Sequence, residues 1–182
     1  LPGVYLTVSS ELSPQHREYT RASTTVINAA IMPIVARYVK RLERDLTSKG
    51  FPQRLYIMQS NGGLMTSRNA RAKPAFMIES GPAAGVVATA AIGNLLGKEQ
   101  IISFDMGGTT AKTCLIENGE PRHTSEYEVG GGISIGHRLL KGGGYLLRVP
   151  AIDLAEIGAG GGSIAWIDRG GALRVGPHSA GA

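Results

Sequence analysis

The chain has 182 residues, 42% of them hydrophobic and 18% charged, with a formal net charge of +5. That length supports a full-sized domain with its own core, and the apolar fraction excludes a disordered polypeptide. Aromatic residues reach only 5%, and the basic group Arg37-Lys40-Arg41-Arg44 is interleaved with Glu43 and Asp45 like a solvated helix face, so no nucleic-acid partner is expected.

Val4–Ser9 alternates weakly and predicts a strand. Ser13-Pro14 reads as a helix start, with Ser as N-cap and Pro at the first helical position. From Ser23 a longer helix is expected, with Ile27, Ile31, Ile34, Tyr38, Leu42 and Leu46 at three- and four-residue spacing. Pro33 should kink it or reset its start, and Gly50 should cap its end. Arg54–Met58 predicts a buried strand running into Gln59-Ser60-Asn61-Gly62-Gly63. Such a polar turn suits a ligand, making Asn61, Gly62 and Gly63 candidate cleft-lining residues, and it is equally an ordinary strand terminus. Phe76–Pro82 reads as a turn before a helix over Ala83–Leu96. The free helix start near Ser80 and Gly81 could attract an anion, although close packing alone explains the small residues.

The most informative stretch follows. Ile101–Phe104 is a short β-type run that delivers Asp105 into Gly107-Gly108-Thr109-Thr110, and a second run, Thr113–Ile116, leads to the turn residues Asn118-Gly119. The reading is a hairpin with a glycine loop at one tip. Gly107 and Gly108 let backbone N–H groups approach phosphate oxygens, and the Thr109 and Thr110 hydroxyls add donors. Asp105 could hold Mg²⁺, directly or through water. Lys112 either adds positive charge or faces solvent. An ordinary glycine-rich turn after a buried strand would give the same pattern.

Beyond the hairpin, glycine triplets at 130–132 and 142–144 bracket His137, Arg138 and Lys141 and predict a mobile loop. Tyr145–Val149 and Ala151–Ile157 read as buried elements, leading to Gly158-Ala159-Gly160-Gly161-Gly162-Ser163. Ile164–Asp168 and Ala172–Val175 form a second hairpin. No G-x-G-x-x-G is present, so a dinucleotide site is not expected. The lone Cys114 cannot form an internal disulfide, which fits a reducing, cytoplasmic location, and its apolar strand makes it a buried bystander. The opening Leu1-Pro2-Gly3 has no leader pattern, and Pro82–Gly97 is too short and too broken for a membrane span. Both ends read as cuts in a longer polypeptide.

The glycine loop is not a Walker A loop, which needs a Gly-Lys pair, nor a Rossmann turn, which needs a helix after the glycines. Strand–D-x-G-G-T-T–strand is similar to the phosphate loops of the actin, sugar-kinase and Hsp70 ATPases. More widely, the chain resembles the ATP-dependent hydantoinase A / 5-oxoprolinase family. The resemblance rests on E-S-G-P-A-A-G-V at 79–86, F-D-M-G-G-T-T at 104–110 and I-G-A-G-G-G-S-I at 157–164. R-E-Y at 17–19, S-T-T at 23–25 and the terminal G-P-x-S-A-G-A add to it, so the likeness covers nearly the whole chain.

The resemblance implies an α/β chain that is a portion of an actin-like (ribonuclease H-like) ATPase fold, with a mixed sheet, flanking helices and Gly-rich hairpin loops. Residues 1–98 would end a first lobe and supply interlobe helices, and 99–182 would begin the second lobe. ATP and Mg would be the cofactors. Asp105 would be catalytic, Gly107, Gly108, Thr109, Thr110 and Lys112 would hold phosphate, and Gly160 and Gly161 would join the cleft lining. The implied activity is ATP-dependent opening of a cyclic amide such as 5-oxoproline or a hydantoin, by phosphoryl transfer to the amide oxygen. The alternatives are a ketone carboxylase subunit of the same family, a small-molecule kinase of the same superfold or a non-catalytic nucleotide-binding module. A second subunit and an oligomer are implied, with no membrane partner. A second D-x-G-G-T, which the resemblance places upstream, does not occur in these residues, so the fragment by itself is expected to be inactive. Ala155 stands where relatives carry His beside the position of Asp153, and His16, His123, His137 and His178 show no metal spacing, so no zinc site is expected.

Overall fold

The computed structural model describes residues 4–130 and 144–181. The loop expected around His137, Arg138 and Lys141 lies outside them. Val4–Val8 forms no strand, and Ser9–Leu12 makes a single helical turn, α1. A strand needs a neighbour for its backbone groups, and among the described residues none pairs with this segment. Ser13 closes α1, its N–H on the Ser9 carbonyl at 2.9 Å, so Ser13-Pro14 ends a helix instead of starting one.

The long helix α2 spans Glu18–Ser48 and follows Arg17 in the left-handed region at φ 76°. Its buried face is Thr20, Thr24, Asn28, Met32, Ala36 and Val39, whereas Ile34 and Tyr38 of the expected apolar stripe are exposed. Polar partners set this rotation. The Thr24 hydroxyl donates to Thr20 O and accepts the Arg148 N–H, both at 2.8 Å. The Asn28 amide donates to Thr7 Oγ1 and Ala72 O at 3.1 Å and accepts the Ala75 N–H at 3.0 Å. Backbone groups outside regular ladders are thereby satisfied, which outweighs burying two more apolar side chains. The helix runs through Pro33 without a new start. By length and composition α2 is long and apolar enough to cross a membrane, unlike Pro82–Gly97. Its bonded Thr and Asn stripe nonetheless faces the rest of the chain. The end is a Schellman motif: Gly50, at φ 87°, donates to Thr47 O and Phe51 donates to Leu46 O.

β1 (Tyr56–Met58) pairs antiparallel with β2 (Leu64–Thr66) around the Ser60–Gly63 turn; it is exposed to half-buried, not buried as expected. Thr66 caps α3 (Ser67–Ala72) by accepting the Asn69 N–H. A 3₁₀ turn over Pro74–Met77 then leads to α4 (Ser80–Leu95).

The main sheet is built on β3 (Ile101–Met106) and β4 (Ala111–Glu117), with β10 (Ala155–Ile157) and the short β5 (Glu120–Pro121) on the other side of β4. Asn118 at φ 55° and Gly119 at φ 78° make the tight β4–β5 turn. Every ladder among the described residues is antiparallel, where a mixed sheet was expected. The four-residue connection between β3 and β4, with its tip at Gly108-Thr109, allows no other direction for that pair. β6 (His123–Thr124) pairs with β9 (Ala151–Ile152), β7 (Tyr127–Val129) with β8 (Tyr145–Leu147), and β11 (Ser163–Ile167) with β12 (Leu173–Ser179). That last pair is the expected second hairpin. Its Asp168 carboxylate accepts the N–H groups of Ala172 and Gly170 and pairs with Arg174, which hold its carboxyl below the ordinary value.

α4 lies on one face of the sheet. Ala83, Val86 and Ala90 pack on Cys114, Ile116 and Ile152, and Cys114 is buried as expected. A second cluster joins Ala75 to Leu147 and Val149. Both clusters draw residues from either side of position 98.

Candidate functional site

The site is the tip of the β3–β4 hairpin and the sheet face beneath α4. In the β3–β4 register Gly107 stands opposite Thr110, and the Gly107 N–H donates to Thr110 O at 2.9 Å. In a closed two-residue hairpin the Thr110 N–H would return that bond to Gly107 O. Here Gly107 O accepts the Gly161 N–H at 2.9 Å and Gly108 O accepts the Gly162 N–H at 2.8 Å. Gly160 and Gly161 are therefore brought against the loop. A Cβ on Gly160 would lie 2.6 Å from Gly107 O and 2.7 Å from Thr110 N, so only glycine fits.

Among the described residues, no hydrogen bond or ion pair engages the Asp105 carboxylate, which stands exposed beside the tip. A free carboxylate, two threonine hydroxyls and loop N–H groups without acceptors suit a phosphate with a hydrated divalent cation.

Lys112 faces Asp105 across β3–β4 and Glu156 across β4–β10. Its ammonium is bonded to the Glu79 carboxylate and lies 3.7 Å from that of Glu156. Its side chain is only 15% exposed, so it does not face solvent. Its charge is engaged by two carboxylates, not left free beside the tip. Glu79 is the residue before α4 and sits in the left-handed region at φ 65°, unusual for a residue with a Cβ. Its corner is pinned from behind: the Tyr127 hydroxyl donates to Ile78 O at 3.3 Å, and the Ser60 hydroxyl sits between Phe76 O and Ile78 O. Burial pushes the Tyr127 phenol up to about 12. Between α4 and the sheet lies a cavity of about 290 Å³, lined by Pro82, Gly85, Thr89, Ser103, Asp105 and Lys112.

The other candidate residues separate. Ser80 and Gly81 open α4 beside Glu79, with open space around Gly81. Asn61, Gly62 and Gly63 form the turn between β1 and β2. Asn61 Oδ1 accepts the Gly63 N–H, Asn61 O meets the His123 ring, and a Cβ on Gly62 would strike Val87 at 2.7 Å. Glu79, Glu156 and Ser103 were not anticipated as site residues. A two-residue tip at Gly108-Thr109 already fixes the Asp105–Lys112 pairing, but nothing local in the sequence points Glu79 or Glu156 at that lysine. Asp153 pairs loosely with Arg122, at 3.9 Å.

This combination of a glycine-tipped antiparallel hairpin, a carboxylate at its mouth and a helix over one sheet face is α/β architecture of the actin-like ATPase kind. Comparison with known proteins supports that class. A solved ATP-dependent caprolactamase from Pseudomonas jessenii superimposes with a TM-score of 0.70 at 37% identity, over 100% of this chain and 24% of that one. The nucleotide-free structure of an acetone carboxylase gives the same TM-score at 26% identity, over 95% of this chain and 22% of that one. The Hydantoinase/oxoprolinase family model matches residues 21–182, and the chain belongs to that family. An uncharacterized protein of Methanocaldococcus jannaschii is 54% identical over 96% of this chain and 25% of its own length. The chain thus spans about a quarter of the length of these relatives.

Proposed function

We propose that this chain supplies one phosphate-holding half of the nucleotide site in an ATP-dependent hydrolase that opens a cyclic amide. The exposed, unengaged Asp105 carboxylate at the mouth of a glycine-threonine tip is the observation that carries the reading. Residues 1–98 would close the first lobe and residues 99–182 open the second. ATP supplies the phosphoryl group that makes a poorly reactive amide carbon electrophilic. Gly107, Gly108, Thr109 and Thr110 would hold phosphate oxygens, and Asp105 would orient Mg²⁺ or its water. Lys112 would act through Glu79 and Glu156, stiffening the sheet under the tip. The likeness to a caprolactamase alpha subunit favours a lactam or hydantoin as substrate and a second subunit as partner.

The equal structural likeness to an acetone carboxylase supports a second reading, ATP-dependent carboxylation of a ketone. Phosphate release from the full-length protein separates the two when measured with 5-oxoproline, a hydantoin, caprolactam, or acetone plus bicarbonate. Stimulation by a cyclic amide supports the first reading, and stimulation only by the ketone with bicarbonate supports the second. Asp105→Asn in the full-length protein abolishes ATP turnover with the fold intact; near-normal turnover in that variant sinks the role given to the tip.

A further inference from the structure

We infer that the Gly160–Gly162 turn is a positioning brace, which sets the peptide planes of the hairpin tip so that two successive N–H groups converge on a phosphoryl oxygen. The inference rests on the phosphate-holding role of the tip. In a trans peptide the C=O and the following N–H point in opposite directions. Gly107 O is turned toward the Gly161 N–H and Gly108 O toward the Gly162 N–H. The N–H groups of Gly108 and Thr109 therefore both point away from the brace, and among the described residues neither has a backbone acceptor. Adjacent N–H groups aimed to one side form an anion-binding concavity.

The brace is itself held in place. The Ser163 hydroxyl accepts the Gly160 N–H at 3.0 Å, and the Ser163 N–H returns a bond to Gly160 O at 3.0 Å. Gly162 O accepts the Ala180 N–H at 2.8 Å and the Ser179 hydroxyl at 3.1 Å. A side chain on Gly162 would run into the Gly181 carbonyl, and one on Gly160 would strike the backbone of both Gly107 and Thr109. Three backbone layers, 107–110, 160–162 and 179–181, are stacked with no room for a Cβ at the two contact glycines.

The test uses the full-length protein and compares ATP with adenosine, which lacks the phosphates. Gly160→Ala is expected to weaken ATP binding about tenfold or more, as a displaced positioning group does, while adenosine affinity stays near wild type and the melting temperature falls only by the overpacking cost of one methyl group. Equal weakening of ATP and adenosine means general distortion and overturns the inference. Unchanged ATP affinity in folded Gly160→Ala, with turnover abolished by Asp105→Asn, overturns the brace and leaves the tip's role standing. If both variants behave as wild type, the tip's role fails and the inference fails with it. Should Gly160→Ala not fold, Ser163→Ala decides, because it adds no atoms and only removes the hydroxyl that fixes Gly160. ATP-selective weakening then supports the brace, and unchanged ATP affinity overturns it.

Discussion

Asp105 and Lys112 are direct cross-strand partners on β3 and β4, yet the ammonium of Lys112 belongs to Glu79 and Glu156 and the carboxylate of Asp105 is left unengaged. The strand register puts the two opposite charges side by side, and the helix corner then claims the lysine. One residue of the pair is structural, and the other is free for a ligand.

That division predicts opposite responses to substitution. Lys112→Met leaves Glu79 and Glu156 without their shared partner and should destabilise the protein by about 1–2 kcal/mol, less than a fully buried pair because both carboxylates retain water. Asp105→Asn removes no bond and should stay within about 0.5 kcal/mol. Urea unfolding of the two variants checks both.

Tyr127 predicts an alkaline stability loss. Its folded-state value of about 12 lies above the ordinary value of 10 because burial disfavours the phenolate. A raised value means the contribution is fully present below pH 10 and is lost as pH rises from there toward about 12. Chemical denaturation at about pH 9 and about pH 12 should show wild type losing up to about 2–3 kcal/mol more than Tyr127→Phe. Parallel losses would contradict the assignment.

Leu147 and Val149 are both fully buried beneath α2 and the 3₁₀ turn, in the second hydrophobic cluster. Leu147→Ala should cost about 2–5 kcal/mol, through lost burial plus the void left behind. Thermal unfolding would register this as a fall in melting temperature.

Gly62 and Gly171 share φ 83° but not surroundings. Alanine at Gly171 meets open space and should cost about 1–2 kcal/mol from backbone strain alone. Alanine at Gly62 meets Val87 at 2.7 Å as well, adding about 1–3 kcal/mol of overpacking. A difference in unfolding free energy near zero between the two variants would count against that packing.

The two hairpins were legible because their signals are local. Ile101–Ile116 carries β-type runs on both sides of a glycine pair, and Asn118-Gly119 can take the positive φ values that its turn requires. The Gly50 cap was legible for the same reason. Val4–Ser9 failed because a strand exists only with a neighbour, which local alternation cannot supply. The rotation of α2 failed because Thr24 and Asn28 answer to Arg148 and Ala75, far away in sequence. At the site, Asp105 and the tip were readable as a pattern. The glycines at 160–162 were seen as a motif, but their contact with Gly107 and Gly108 is tertiary. Glu79 escaped for the same reason, since only the packing of α4 on β4 aims it at Lys112.

The row of ionisable groups under the tip also has an electrical consequence. Asp105, Glu79 and Glu156 place three carboxylates against the single ammonium of Lys112 on one sheet face. Among the described residues of this row the surplus is negative, whatever the basic balance of the chain as a whole. A polyphosphate approaching the tip therefore moves up a potential hill unless a cation travels with it or waits at Asp105. Screening by salt should ease that approach.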